Sequence, residues 1–231
     1  IPQNIIADYA AGGMHGAIGI LAALMARERT GRGQYVDISM MDGVIYLMAS
    51  MASEYFRNGT VPQRGETRLS GNVPYYGVYQ CGDGRYLSLG CIEPHFWEPL
   101  CRALGREEFI PHQHNEAKHP EIFAFFQDTF KTRTRDEWVD FLSGAGDIAV
   151  ARVYSIDEVF KDPQVQHREH PLLAGTLDGE PVRQPGIGPK LSDTPGRVRS
   201  LGPPAGEHTE EVLLGLGYSQ GQIQRLIEQG A

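Results

Sequence analysis

The chain has 231 residues, 41% of them hydrophobic and 22% charged, which allows one large domain or two modest ones around a sizeable core. A net charge of -8 offers no basic footprint for nucleic acid or an anionic membrane surface. Cys81, Cys91 and Cys101 are odd in number and lack paired metal spacing, which fits free thiols in a reducing, cytoplasmic setting, and no run reads as long enough to span a membrane.

The chain opens abruptly at Ile1-Pro-Gln-Asn, as though it begins inside a domain. Asp8 follows, among the small residues Ala10, Ala11, Gly12, Gly13, Gly16 and Gly19 and just before the apolar run Ile18 to Met25. Small residues let a backbone or a ligand approach closely, and a carboxylate is favoured at a helix N-terminus. Asp8 therefore reads in two ways, as a helix cap or as a catalytic carboxylate in a backbone-lined slot. Residues 10–29 carry apolar side chains at helical spacing and end in Arg27-Glu28-Arg29 before Gly31 and Gly33. His15 suits helix packing or a site. Gln34 to Met40 alternates as a strand would, and Asp42 is placed to cap a second helix, 43–57. Met40, Met41, Met48 and Met51 suit core or dimer-interface filling.

Residues 58–72 are polar and Gly-rich, as in a linker. Beyond them, strands on either side of Asp83-Gly84 predict a hairpin, and Pro94 suits the first turn of a helix running to Leu104. Glu93, between Ile92 and Pro94, lies where an apolar strand ends and a helix starts, a position open to a helix cap or to a site residue. Helices are expected over 120–133 and 135–142, the second opened by the capping-box spacing Thr134-x-x-Glu137. A strand over 148–154, short helices after Ser155 and Asp162, a small hairpin across Asp178-Gly179, an extended Pro/Gly-rich arm to Ala205 and two closing helices complete the order. His112-Gln113-His114 reads as a polar loop, His167 and His170 as surface residues, and neither a nucleophile elbow nor a phosphate loop is present.

These motifs carry a resemblance. The run from Asp8 and Gly12 through Arg27-Glu-Arg-Thr-Gly-Arg-Gly to Asp42 resembles the family III CoA-transferases (CaiB/BaiF), as do Asp162-Pro-Gln-Val-Gln-His-Arg168 and Gly206-Glu-His-Thr-Glu-Glu-Val-Leu213. The family contains CoA-transferases and α-methylacyl-CoA racemases. The resemblance implies an α/β fold with a large Rossmann-like domain, an inserted small α+β domain and an interlocked homodimer. It divides this chain into 1–65 (large domain and linker), 66–160 (small domain) and 161–231 (an arm returning to the large domain).

Asp8 matches the family's catalytic aspartate, an acid/base in the racemases and a nucleophile in the transferases. Gly90-Cys-Ile-Glu93-Pro-His-Phe96 resembles the racemase branch, and Ser70-Gly-Asn-Val-Pro-Tyr75 has one glycine where formyl-CoA transferases carry a glycine-rich loop. The expectation is therefore a racemase that moves the C2 proton of a 2-methylacyl-CoA through an enolate. Asp8 is one base, a histidine of an upstream Gly-His-Asp-like motif is the other, and Glu93 orients or tunes that histidine. Backbone N–H groups after Asp8 are available in principle to the enolate oxygen. Gly12, Gly13, Tyr75 and Tyr76 are expected to line the substrate, while the sequence leaves the acyl group open. No metal or redox cofactor is called for, since coenzyme A is part of the substrate. The alternatives are CoA transfer through Asp8, or a remnant that only binds acyl-CoA or dimerises. The histidine motif and the family's N-terminal half do not occur among these residues.

Overall fold

The computed structural model describes residues 3–230; Ile1, Pro2 and Ala231, and with them the abrupt opening at Ile1, lie outside the described residues. The chain forms two compact units, 1–152 and 153–231.

The first unit begins with a π-helix, Ile5–Met14, that runs directly into α1, His15–Thr30. The helical period predicted for 10–29 is present, but the first ten residues are wound more widely: the Asn4 carbonyl accepts both the Asp8 N–H and the Tyr9 N–H at 3.1 Å. Gly31, at φ 69°, closes α1 in the left-handed conformation, as the Thr30-Gly31 signal predicts. The combined rod Ile5–Thr30 has 26 residues and hydropathy 1.4, which is long and apolar enough to cross a membrane by length and composition. That corrects the expectation that no run reaches such a length. Its small residues nonetheless make packing contacts within the protein. A Cβ on Gly19 would sit 2.7 Å from Ile38 Cδ1, and one on Gly12 would sit 3.2 Å from Met40 Cγ.

Val36 and Ile38 lie against α1 without entering a sheet. The strand expected over 34–40 therefore does not form among the described residues, because alternation makes a strand only where a neighbour supplies the ladder. The second helix also differs from expectation. It starts earlier, as α2 (Met40–Leu47), stops at Met48, and resumes as α3 (Ala49–Asn58). Ser39, not Asp42, is the cap, its hydroxyl accepting the Asp42 N–H at 3.3 Å. A hydroxyl placed three residues before that N–H caps it directly.

The core of this unit lies further along the chain. β1 (Tyr76–Gln80) and β2 (Tyr86–Gly90) pair antiparallel about the predicted turn, with Gly84 at φ 78° and Asp83 Oδ1 accepting the Arg85 N–H at 3.2 Å. β3 (Val150–Val153) joins the far side of β2. α4 (Pro94–Ala103), α5 (His119–Phe130) and α6 (Arg135–Ala145) cover one face. Alternation along β1 and β2 sends Tyr79, Leu87 and Leu89 into a cluster with Trp97, Leu100, Phe126, Phe130, Trp138 and Leu142, all nearly inaccessible to solvent. Tyr79 donates its phenol hydrogen to the Pro74 carbonyl at 2.6 Å, and burial pushes that phenol well above its ordinary pKa. The predicted capping box opens α6, with Thr134 accepting the Glu137 N–H and the Glu137 carboxylate accepting the Thr134 N–H at 2.9 Å.

The second unit contains α7 (Ile156–Val159), opened by the Ser155/Glu158 capping box, and α8 (Pro163–His167), capped by Asp162. The expected hairpin follows as β4 (Leu172–Leu177) and β5 (Glu180–Gln184), turned by Asp178 and Gly179 at φ 52° and 86°. After an arm without regular structure come α9 (Thr209–Gly215) and α10 (Gln220–Glu228).

Candidate active site

Asp8 lies in the first turn of the π-helix with its side chain exposed and, among the described residues, free of hydrogen bonds and ion pairs. It does not cap the helix: Asn4 holds that position, and no side chain bonds there. Single-turn π-widenings recur at functional sites; here the widening runs for ten residues, Ile5–Met14, and spans the aspartate and both neighbouring glycines. The same winding corrects one expectation. The N–H of Tyr9, the residue after Asp8, already donates to Asn4, so it is not available to an enolate oxygen.

The π-helix is held by α2. A Cβ on Gly43 would lie 2.6 Å from Ala11 Cβ and 2.7 Å from the Ala11 carbonyl oxygen, so the close approach of the two helices requires glycine. His15 contributes to the same contact, its Nδ1 also 2.7 Å from that position and its ring edge-on to Tyr46. It is a packing residue in this chain. Gly12 makes room for Met40, whereas Gly13 meets only the Asp8 carbonyl of its own helix and is exposed.

Glu93 stands at the N-cap position of α4, exposed, with backbone angles of −80° and 143°. Its carbonyl accepts the Phe96 and Trp97 N–H groups, but its carboxylate makes no capping bond. Ser39, Thr134 and Asp162 show what a side-chain cap looks like in this chain. Glu93 has the position without the interaction, which leaves its carboxylate available.

The corner that leads to Glu93 is tightly bonded. The Cys91 N–H donates to the Tyr75 carbonyl at 2.8 Å, and the Ile92 N–H donates to the Gly90 carbonyl at 2.9 Å. The Gln113 side-chain amide donates to the Cys91 and Ile92 carbonyls at 3.1 and 2.8 Å. His119 Nε2 donates to the Gln113 main-chain carbonyl at 2.9 Å. Gln113 and His119 are both buried. In the sequence, Gln113 lies in the His112-Gln113-His114 run that reads as a polar loop, and His119 lies outside the predicted elements. The available signal was the apolar Phe109-Ile110 immediately before the His112-Gln113-His114 run, which draws that loop inward.

Tyr75 and Tyr76 reach the same end of the sheet, Tyr76 opposite Gly90 in the register. The Tyr75 ring is buried against Trp97, His114 and His119, its hydroxyl lies 3.4 Å from His114 Nδ1, and the residue helps to line a cavity of about 280 Å³ with Glu66, Asn72 and Glu116. Tyr76 is half-buried on the wall of a larger cavity of about 950 Å³, formed by the open sheet face (Val78, Ser88, Gly90) and the Leu69-Ser70-Gly71 turn. The one-glycine loop singled out in the sequence thus borders this groove, with Gly71 at φ 90°.

The chain therefore assembles two groups, Asp8 with Gly12 and Gly13 on the π-helix, and Glu93 with Tyr75 and Tyr76 at the sheet end. Among the described residues, no hydrogen bond or ion pair joins Asp8 to Glu93. Cys81, Cys91 and Cys101 are free and buried; burial pushes the Cys91 thiol up to about 11 and the Cys101 thiol to about 12, so neither is a ready nucleophile. Among the described residues, no group of three or more His, Cys, Asp or Glu side chains is arranged to hold a metal ion.

CoA-transferase family III matches residues 1–209, and the chain belongs to that family. It is 35% identical over 229 residues to alpha-methylacyl-CoA racemase of Mus musculus, covering 97% of this chain and 58% of that protein. It is 32% identical over 232 residues to the succinyl-CoA–L-malate CoA-transferase beta subunit of Chloroflexus aurantiacus, covering 97% of this chain and 57% of that one. Among solved structures, a CAIB/BAIF family protein from Brucella suis superposes with TM-score 0.70 at 24% identity over 91% of this chain and 55% of that chain. The chain thus spans little more than half the length of these relatives.

Proposed function

We propose that the full-length protein carrying this chain is an acyl-CoA racemase that moves the C2 proton of a 2-methylacyl-CoA thioester. The observation that carries the reading is Glu93, a carboxylate at a helix start that its own helix does not use, in a chain 35% identical to an alpha-methylacyl-CoA racemase. A thioester makes its α-proton acidic enough for a side-chain base to remove, and inversion needs a base on each face of the resulting enolate. Asp8 is one base. The other, as the family resemblance assigns it, is a histidine upstream of these residues, and Glu93 of a second subunit orients or tunes it. Tyr76 and Gly13 border the acyl-CoA. The large domain, this inserted small domain and the interlocked homodimer belong to the same proposal, as does a cytoplasmic location. The reaction calls on no metal or redox cofactor.

One observation favours a second reading, CoA transfer with Asp8 as nucleophile: the 32% identity to a CoA-transferase subunit over the same span. The two separate in deuterated water. With one enantiomer of 2-methyldecanoyl-CoA, racemisation predicts deuterium entering C2 while the substrate loses optical purity, and no covalent enzyme adduct. Hydroxylamine trapping of an acyl group on Asp8, without exchange at C2, would overturn the racemase reading in favour of transfer.

A further inference from the structure

We infer that Gln113 is a positioning residue for Glu93, acting through the backbone of the strand-to-helix corner; this deepens the racemase reading and rests on it. The Glu93 carboxylate is exposed and has no hydrogen bond of its own, so within this chain what is fixed is the backbone that carries it and hence the direction of its Cα–Cβ bond. The Ile92 carbonyl belongs to the peptide unit whose nitrogen is that of Glu93. Gln113 Nε2 donates to that carbonyl at 2.8 Å and to the preceding Cys91 carbonyl at 3.1 Å. Both acceptors are carbonyl oxygens, so the amide must present its nitrogen, and both of its N–H groups are spent there.

The brace is closed at its far side. The Gln113 main-chain carbonyl accepts the His119 Nε2–H at 2.9 Å, and the His119 ring stands edge-on to Tyr75 at 6.0 Å. The Tyr75 carbonyl in turn accepts the Cys91 N–H at 2.8 Å. Gln113, Cys91, Tyr75 and His119 thus form a ring of contacts beneath the corner. Gln113, Cys91 and Tyr75 are 5%, 0% and 2% exposed, so water does not substitute for the amide. A group held within a fraction of an ångström works only while its support holds, and a displacement near 1 Å is enough to slow a reaction by about 100-fold.

The test uses the full-length protein and 2-methyldecanoyl-CoA, reading C2 exchange and melting temperature together. Gln113→Met keeps the side-chain length and removes both donors. The inference predicts that the saturating exchange rate falls by about 10- to 100-fold. It also predicts that KM moves far less, and that adding Gln113→Met to Glu93→Gln produces no further loss, because both changes disable one group. A rate within twofold of the parent in a variant that melts like it, or losses that multiply in the double variant, would overturn it. If Glu93→Gln alone leaves exchange unchanged, the fault lies with the assignment of Glu93 and not with the brace. Should Gln113→Met lose its cooperative melt, Gln113→Asn, which keeps both N–H groups on a shorter arm, is judged by the same criteria.

Discussion

A carboxylate at a helix start has two uses, and in this chain the two can be told apart by whether the side chain is spent. Asp162 accepts two N–H groups of its helix, at 2.8 and 3.0 Å, and is a cap. Glu93 occupies the equivalent position and accepts none with its side chain; Asp8 sits within the first turn and is likewise unengaged. Stability and chemistry should therefore separate on mutation. Glu93→Gln and Asp8→Asn are expected to change folding stability by no more than about 0.5 kcal/mol, as for surface positions without special interactions. Asp8→Asn should abolish racemisation, and Glu93→Gln should lower C2 exchange more than it weakens acyl-CoA binding. Thermal melts beside racemisation and exchange rates check both; a large loss of stability at Glu93 would restore it to a structural role.

Devices that act over three or four residues were legible in the sequence because their partners are close along the chain. The Asp83-Gly84 turn, the capping box at Thr134 and the short helix after Ser155 form as expected. Thr134→Ala removes one such device and should cost about 0.5–2 kcal/mol, measured by denaturant unfolding with an unchanged slope. What depended on distant partners was not legible. Residues 34–40 alternate like a strand, yet Val36 and Ile38 pack on α1 and no ladder forms among the described residues. The break at Met48 lies inside a Met- and Leu-rich run with no proline or glycine to mark it. The π-winding around Asp8 was hidden because Ala7-Asp-Tyr-Ala-Ala-Gly-Gly13 is mostly small residues and carries no apolar stripe whose period would reveal the pitch. At the site, the exposed carboxylates announced themselves by their flanks. Gln113 did not, because its value comes from two carbonyls 21 and 22 residues away.

At the scale of the molecule, burial is uneven. The cluster from Val73 to Ile148 holds nearly all of the buried hydrophobic residues, whereas α1 has none, with Ile18, Leu21 and Met25 60, 61 and 60% exposed. Apolar surface on that scale marks an interface. The proposal assigns it to the rest of the large domain and to a second copy, and the chain's coverage of 58% of its racemase relative agrees with a large domain that extends beyond it. On the proposed interlocked dimer, Asp8 of one subunit would work with Glu93 of the other, so that the two acids come from different chains at each site. Co-expression of full-length Asp8→Asn and Glu93→Gln subunits tests this most directly. Every mixed dimer then holds one site with both acids intact, and random pairing makes half the dimers mixed, so racemisation should recover to about a quarter of the parental rate. A mixture no more active than the average of the two single variants would contradict the shared site.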